Sequence, residues 1–348
     1  MRSANRRSGR QRTPRIRAAL FALALGVAAP RAALAASTLR VATLVPKASS
    51  WGKILRTWEK AVSERTHGEV TLDVYYNGVH GMEDAMVAKM RTGQLDGAVV
   101  SSVGLADIYK DVLVLQLPGV LVDWATLDRA REALSPELER GFASAGFSLL
   151  SWADVGLVRP YSEGIEVRKP PDMKTAHPLV YRDDPILPVL FQTVGGVVPT
   201  PLDVGEVLPA LRTGSVNVVL APGLAVEQLQ WAPHLDHVTN WVMVSVIGGT
   251  IFRSAALDAL PTDVRGTFLD IQKRVGALQS REVRQDDIDA YGRVSKKMQR
   301  VSLSPAERDA WSGLARETVR RLSLSTFPRN LVEKVTRIAE AAGTGASG

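Results

Sequence analysis

The chain has 348 residues, enough for two domains with a core each, and its 45% apolar and 23% charged content is ordinary for a globular protein. With no cysteine, disulfides, thiolate metal sites, cysteine nucleophiles and a lipid anchor on an N-terminal cysteine are excluded. The net charge of +7 does not indicate a nucleic-acid partner: eight arginines and no acid lie in the first 36 residues, leaving 35 basic against 36 acidic residues in the remainder.

That leader reads as a secretory signal peptide over 1–36. Arginines run to Arg17, Ala18 to Ala29 is an apolar stretch too short to span a bilayer comfortably, and Ala33-Leu34-Ala35 is a small-x-small cleavage site. Arg6-Arg7 hints at the twin-arginine route, but the apolar residues that should follow are absent, so the general route is favoured. The expected product is a soluble, periplasmic protein.

Thr38 to Val45 alternates as a strand. Ser49-Ser50 then caps a helix from Trp51 to Arg65. Val70 to Tyr76 alternates again. Gly81 to Thr92 is a helix, Ala98 to Ser101 a strand, and Leu105 to Tyr109 a short helix. Val112 to Leu121 is an apolar segment broken by proline. Ala125 to Ala145 reads as a helix and Phe147 to Asp154 as a strand. Gly156 to Lys174, rich in Pro, Gly and charge, reads as a crossing between lobes.

Pro178 to Pro222 is the most legible stretch. A strand at Pro178 to Tyr181 precedes a helix at Pro185 to Val194, stopped by Gly195-Gly196. A short strand at Val197-Val198 follows, then a helix capped by Asp203 and ended at Gly214, then a strand at Val216 to Leu220. Strands alternating with helices at this spacing imply βαβ units and a mostly parallel sheet. The frame Arg-Thr-Gly then buried strand occurs twice, in Met90 to Val100 and Leu211 to Leu220. The echo suggests two lobes of similar build with a cleft between them.

Ala225 to Trp231 reads as a helix, and His237 to Val242 and Val244 to Phe252 as strands, the second returning to the first lobe. From Pro261 to Arg300 apolar residues recur at helical spacing, giving one long helix able to brace both lobes. Ser304 to Leu322 opens on a capping box with Glu307, and Asn330 to Ala342 is the last helix. The expected class is therefore α/β, with two lobes and a lobe-spanning helix. Lobe I is expected over 37–157 plus 244–270, lobe II over 158–243 plus 271–342, and a disordered tail over 343–348.

The search for catalytic chemistry is mostly negative. The sequence has no G-x-S-x-G elbow, no H-E-x-x-H and no P-loop. His234-x-x-His237 reads as a surface pair without a third ligand, and Asp183-Asp184 as caps of the following helix. No catalytic residue, metal or cofactor is expected. An exported hydrolase is the remote alternative, and an interaction protein with an unused cleft another.

Ligands of α/β lobes bind at the carboxyl ends of strands. Those ends carry Trp51, Val103, Leu105, Trp152, Asp154, Leu179, Tyr181, Arg182, Ala221 and Trp231. Trp152, Tyr181 and Trp231 are the favoured contacts, since large aromatics with one polar edge suit a half-wet site.

At these residues the sequence resembles the DctP-type solute-binding proteins of TRAP (tripartite ATP-independent periplasmic) transporters. The likeness rests on Trp51-Gly52-Lys53-Ile54, Met90 to Gly97, Val114 to Gly119, Asp172-Met173-Lys174, Pro199 to Leu202 with Glu206-Val207, Ala210 to Gly214 and Leu260-Pro261. It implies a two-lobed periplasmic-binding-protein-like fold, and a binding protein that hands its ligand to integral-membrane permease subunits. The family's carboxylate-clamping arginine aligns with Leu179, three residues before Arg182. A second arginine aligns with Val158, next to Arg159, and a ligand-binding asparagine with Ala221. A bidentate arginine fixes a small organic acid. Its replacement leads to the expectation of an apolar or amphipathic ligand, oriented by Asp154 and Tyr181. Leu179-Val180-Tyr181, Asp184-Pro185 and Leu229-Gln230-Trp231 resemble a branch with apolar clefts and a tetratricopeptide partner lipoprotein. The alternative expectation is an organic acid held by Arg182 or Arg159.

Overall fold

The protein is described by a computed structural model covering residues 36–343. The expected signal peptide, apart from Ala36, and the tail beyond Gly343 lie outside the described residues.

Strand β1 (Ser37–Thr43) leads to α1 (Ser50–Arg65), whose first turn is capped by Ser49 accepting from the Gly52 N–H. Then come β2 (Val70–Tyr75), α2 (Glu83–Arg91), β3 (Gly97–Ser101) and α3 (Ser102–Ile108). The apolar run broken by Pro118 forms a 3-10 turn over Lys110–Gln116, before α4 (Trp124–Ser144) and β4 (Phe147–Trp152). With β11 (Gly248–Arg253) these strands make the first sheet, in the order β2-β1-β3-β11-β4. β1 runs parallel to β2 and β3, and β11 antiparallel to β3 and β4. One face buries Trp58 of α1 against Phe252 and Phe268; the other buries Phe142, Met86 and Met90.

The chain crosses to the second lobe at residues 153–155 and enters β5 (Gly156–Ser162). This is a correction: the segment expected to be irregular is the central strand of the second sheet. Pro160 obscures it, because proline removes a ladder donor and argues against a central strand. The partners resolve the conflict. β8 (Val218–Pro222) pairs along one edge of β5, while β10 (Val244–Val246) covers 156–158 and β9 (His237–Thr239) covers 161–162 on the other. The residue without an N–H falls in the gap between β10 and β9. β12 (Gln299–Val301), not expected from sequence, pairs parallel to β9.

Between β5 and β8 lie β6 (Leu179–Tyr181), α5 (Leu187–Val194), β7 (Thr200–Leu202) and α6 (Val204–Thr213). The second strand of this unit is at 200–202, not at Val197-Val198. α7 (Gly223–Gln228) follows β8, and α8 (Ser254–Asp258) follows β11.

The long helix α9 (Thr262–Ser295) is shorter at both ends than expected, and it braces both lobes. Val264, Phe268 and Ile271 belong to the first-lobe core, Val294 to the second. Two lobe assignments are corrected. β10 is a strand of the second sheet, so only β11 returns to the first lobe. The carboxyl-terminal helices are shared. α10 (Pro305–Ser325) puts Trp311 and Leu314 in the second lobe but Val319 and Leu322 in the first, where α11 (Arg329–Ala341) also packs. An amphipathic pattern shows that a face is buried, not against which lobe. No helix among the described residues is long and apolar enough to cross a membrane.

Candidate functional site

The two lobes and α9 meet around the start of β5. Gly156 opens the strand at φ 154°, where a Cβ would press on Pro222 and come within 2.7 Å of an Asp287 carboxylate oxygen. Only glycine fits so close an approach. Successive turns of α9 line this junction. Val283 and Ala290 pack with Leu224 of α7 and with Trp51, which reaches across from α1 of the first lobe. Asp287, buried to 1%, accepts from the backbone N–H groups of Leu157 (2.9 Å) and Leu224 (3.0 Å). Burial raises its carboxyl above the ordinary value, while those N–H bonds and the Arg159 charge pull it back. Ser50 at the start of α1 donates to Asp286 on the same helix (2.6 Å).

Arg159 projects from β5 at this point. It sits opposite Ala221 on β8, so the two side chains share a sheet face. Its guanidinium stacks on the Tyr291 ring of α9, 4.0 Å from the centroid, and Nη1 donates to the Leu157 carbonyl (3.3 Å). Nε is sealed from water without a partner. Among the described residues, only two partly buried arginines form no ion pair, Arg56 and Arg159, and Arg56 donates instead to the Lys47 carbonyl. Two residues along the same face of β5, the Tyr161 hydroxyl is also buried and unpartnered, as is the indole Nε1 of Trp51. Burial raises the Tyr161 phenol well above its ordinary value.

The residues expected from sequence divide. Leu179, Ala221 and Trp231, each 1% exposed, share one apolar cluster with Tyr161, and the partly buried Tyr181 and Tyr291 pack on it. Trp51 lies at the junction. Leu105 is fully buried in the first-lobe core, and Val103 is 40% exposed on α3, so neither joins this cluster.

Asp154 sits in an ion-pair network apart from this cluster. It is fully buried at the crossing and bonded to Arg131 of α4 (2.6 Å) and Arg284 of α9 (2.6 Å), so its charge is already shared by two guanidinium groups. Trp152 stacks under Arg131 in the same network, in an open groove of about 730 Å3 between α4 and α9. Arg182 is paired as well. It is bonded to Asp203 (3.2 Å) and Glu206 (2.6 Å), the capping box of α6, on the exposed surface. Asp184 caps the next helix as expected, accepting from Ile186 and Leu187 N–H.

Sequence reasoning found Arg159 only as the neighbour of an aligned valine. The alternation of β5, which sends Val158 into one core cluster and Tyr161 into the other, would have placed Arg159 on the Tyr161 face had Pro160 not hidden the strand. Tyr291 and Asp287 carried no signal beyond their place on a helix.

Comparison with known proteins adds a family, two relatives and two solved structures. A family model described as bacterial extracellular solute-binding protein, family 7 (DctP), matches residues 41–325. The chain is 25% identical over 256 residues to a solute-binding protein of Verminephrobacter eiseniae, covering 73% of this chain and 76% of that one. It is 21% identical over 279 residues to the 2,3-diketo-L-gulonate-binding periplasmic protein YiaO of Escherichia coli, covering 78% and 83%. In fold it is similar to a TRAP periplasmic solute binding protein from Shewanella oneidensis with bound succinate (TM-score 0.80, 18% identity, 88% of this chain and 100% of that one). A TRAP periplasmic solute binding protein from Sulfitobacter with bound β-D-galacturonate is similar in fold too (TM-score 0.78, 14% identity, 87% and 100%).

Proposed function

The chain belongs to bacterial extracellular solute-binding protein family 7, and on that premise we propose that it is the periplasmic component of a TRAP-type transporter, capturing an organic acid through Arg159. The observation that carries this reading is a partly buried guanidinium at the lobe junction with no carboxylate paired to it and one donor sealed off unmet. A buried donor without an acceptor is costly, and a ligand carboxylate would supply the missing partner.

The expectation of an apolar or amphipathic ligand without a carboxylate clamp is not supported, and the organic-acid alternative fits better. Solved proteins of this fold hold acids, among them succinate, L-malate and β-D-galacturonate, and a cation stands at the junction. Of the two arginines considered for an acid, Arg159 remains and Arg182 is already paired. Delivery to integral-membrane permease subunits follows from the transporter reading. A tetratricopeptide lipoprotein partner rests on the likeness of Leu179-Val180-Tyr181 and Leu229-Gln230-Trp231 to the branch that has one.

The test is a thermal-shift screen of the purified protein against organic acids. A hit is expected whose shift disappears in Arg159→Ala and persists in Arg182→Ala. Losing a charge-assisted bond should weaken binding by about ten- to a hundredfold. A hit unaffected by Arg159→Ala would contradict the proposal.

A further inference from the structure

The charge inventory at the junction limits how many negative groups a ligand can bring. Arg159 is the one cation there without an ion pair. Arg131 and Arg284 are neutralised by Asp154 and Asp128. Asp287 faces Arg159 from α9 and is fixed there by the N–H groups of Leu157 and Leu224, so a second ligand carboxylate would meet a like charge on that side. The remaining unmet polar atoms are neutral: the Tyr161 hydroxyl, which can donate or accept, and the Trp51 indole N–H, which only donates. They can complete the bonding of one carboxylate or of a carbonyl beside it, but they cannot neutralise another charge. The other neighbours are hydrocarbon: Leu179, Ala221 and Leu224.

Resting on the reading that this site binds an organic acid through Arg159, we infer that the ligand carries a single carboxylate on an apolar body, as an aliphatic or aromatic monocarboxylic acid does. A second carboxylate against this wall would be desolvated without a counter-charge. The hydroxyl groups of a sugar acid would outnumber the polar atoms left unmet here, the Arg159 Nε, the Tyr161 hydroxyl and the Trp51 indole N–H, and the excess would be desolvated without partners. Leu179 is then a specificity-determining residue, supplying surface for a chain where a cation would invite a second charge.

The experiment is titration calorimetry on the purified protein with straight-chain, branched and aromatic monocarboxylates, the amides of the same acids, succinate and glucuronate. At least one monocarboxylate is expected to bind about a hundredfold more tightly than succinate or glucuronate. Its amide should bind at least about tenfold more weakly than the acid. Tyr161→Phe should weaken the monocarboxylate by several-fold. Succinate or glucuronate binding as tightly as any monocarboxylate, and lost in Arg159→Ala, overturns the single-charge inference while leaving the acid reading in place. An amide as tight as its acid overturns the acid reading and this inference with it, as does a panel in which nothing binds.

Discussion

Two arginines compete for one role, and their neighbours decide between them. Arg182 answers Asp203 and Glu206, each more than twenty positions away in the chain, and no spacing rule reveals that pairing in advance. Exposed pairs of this kind contribute little to stability, so Arg182→Ala should leave both ligand binding and the urea midpoint nearly unchanged. Asp154 is the opposite case. It was legible as a polar residue at a strand end, but not as the fully buried centre of a network joining Arg131 and Arg284. Removing the anion leaves two guanidinium groups with only Asp128 between them. Asp154→Asn should cost about 3–5 kcal/mol, read as a lower urea midpoint at unchanged slope. A loss below about 1 kcal/mol would show that Asp128 alone suffices.

At the scale of elements, helices announced themselves through caps and spacing. The Ser49 cap, the Ser304–Glu307 capping box and the Asp203 cap all form where the sequence placed them. β5 did not, because it lies in a stretch rich in Pro, Gly and charge, and Pro160 weighed against a strand until the gap between its two partners was known. Packing between elements is equally hidden. Gly276 looks like a weakness in α9, yet a Cβ there would overlap Ser151 of β4. Alanine would gain about 1 kcal/mol of helix propensity, and forcing the helix off the strand would cost about 1–3 kcal/mol. Gly276→Ala is therefore expected to lower the melting temperature, and an increase would mean that α9 rides more loosely on the sheet than described.

Asp96 ties three strands of the first sheet. It accepts from the Arg40 backbone and side chain on β1 and from Arg253 at the end of β11, just ahead of β3. Burial alone would raise its carboxyl, but the Arg40 and Arg253 hydrogen bonds hold it below its ordinary value of 3.8. A carboxyl depressed in the folded state adds stability above its unfolded pKa and loses it as pH falls through the folded one. Asp96→Asn should thus reduce stability near neutrality and flatten the acid side of the pH–stability curve. Parallel curves for the two proteins from about pH 7 to about pH 3 would contradict this.

For the whole molecule, two lobes and a bracing helix were legible because βαβ alternation and a long periodic segment have few other uses. The closing arrangement was not. The last two helices carry apolar faces that would suit either lobe, and α10 serves both while α11 returns to the first. The proposed site is a product of that assembly, since Trp51 belongs to one lobe, Arg159 to the other, and Asp287 and Tyr291 to the helix between them. A ligand held there stabilises the joined lobes by mass action, about 2.7 kcal/mol at a hundredfold excess over Kd. The melting temperature should rise with the logarithm of ligand concentration in the wild type and stay flat in Arg159→Ala.

The most direct measurement is a crystal structure of the protein with the tightest-binding acid from the screen. One carboxylate is expected within hydrogen-bonding distance of the Arg159 guanidinium, at the junction of β5, β8 and α9, with the rest of the molecule against the Leu179 and Ala221 surface. A carboxylate seated on another cation, with Arg159 still bonded only to the Leu157 carbonyl, would contradict the account.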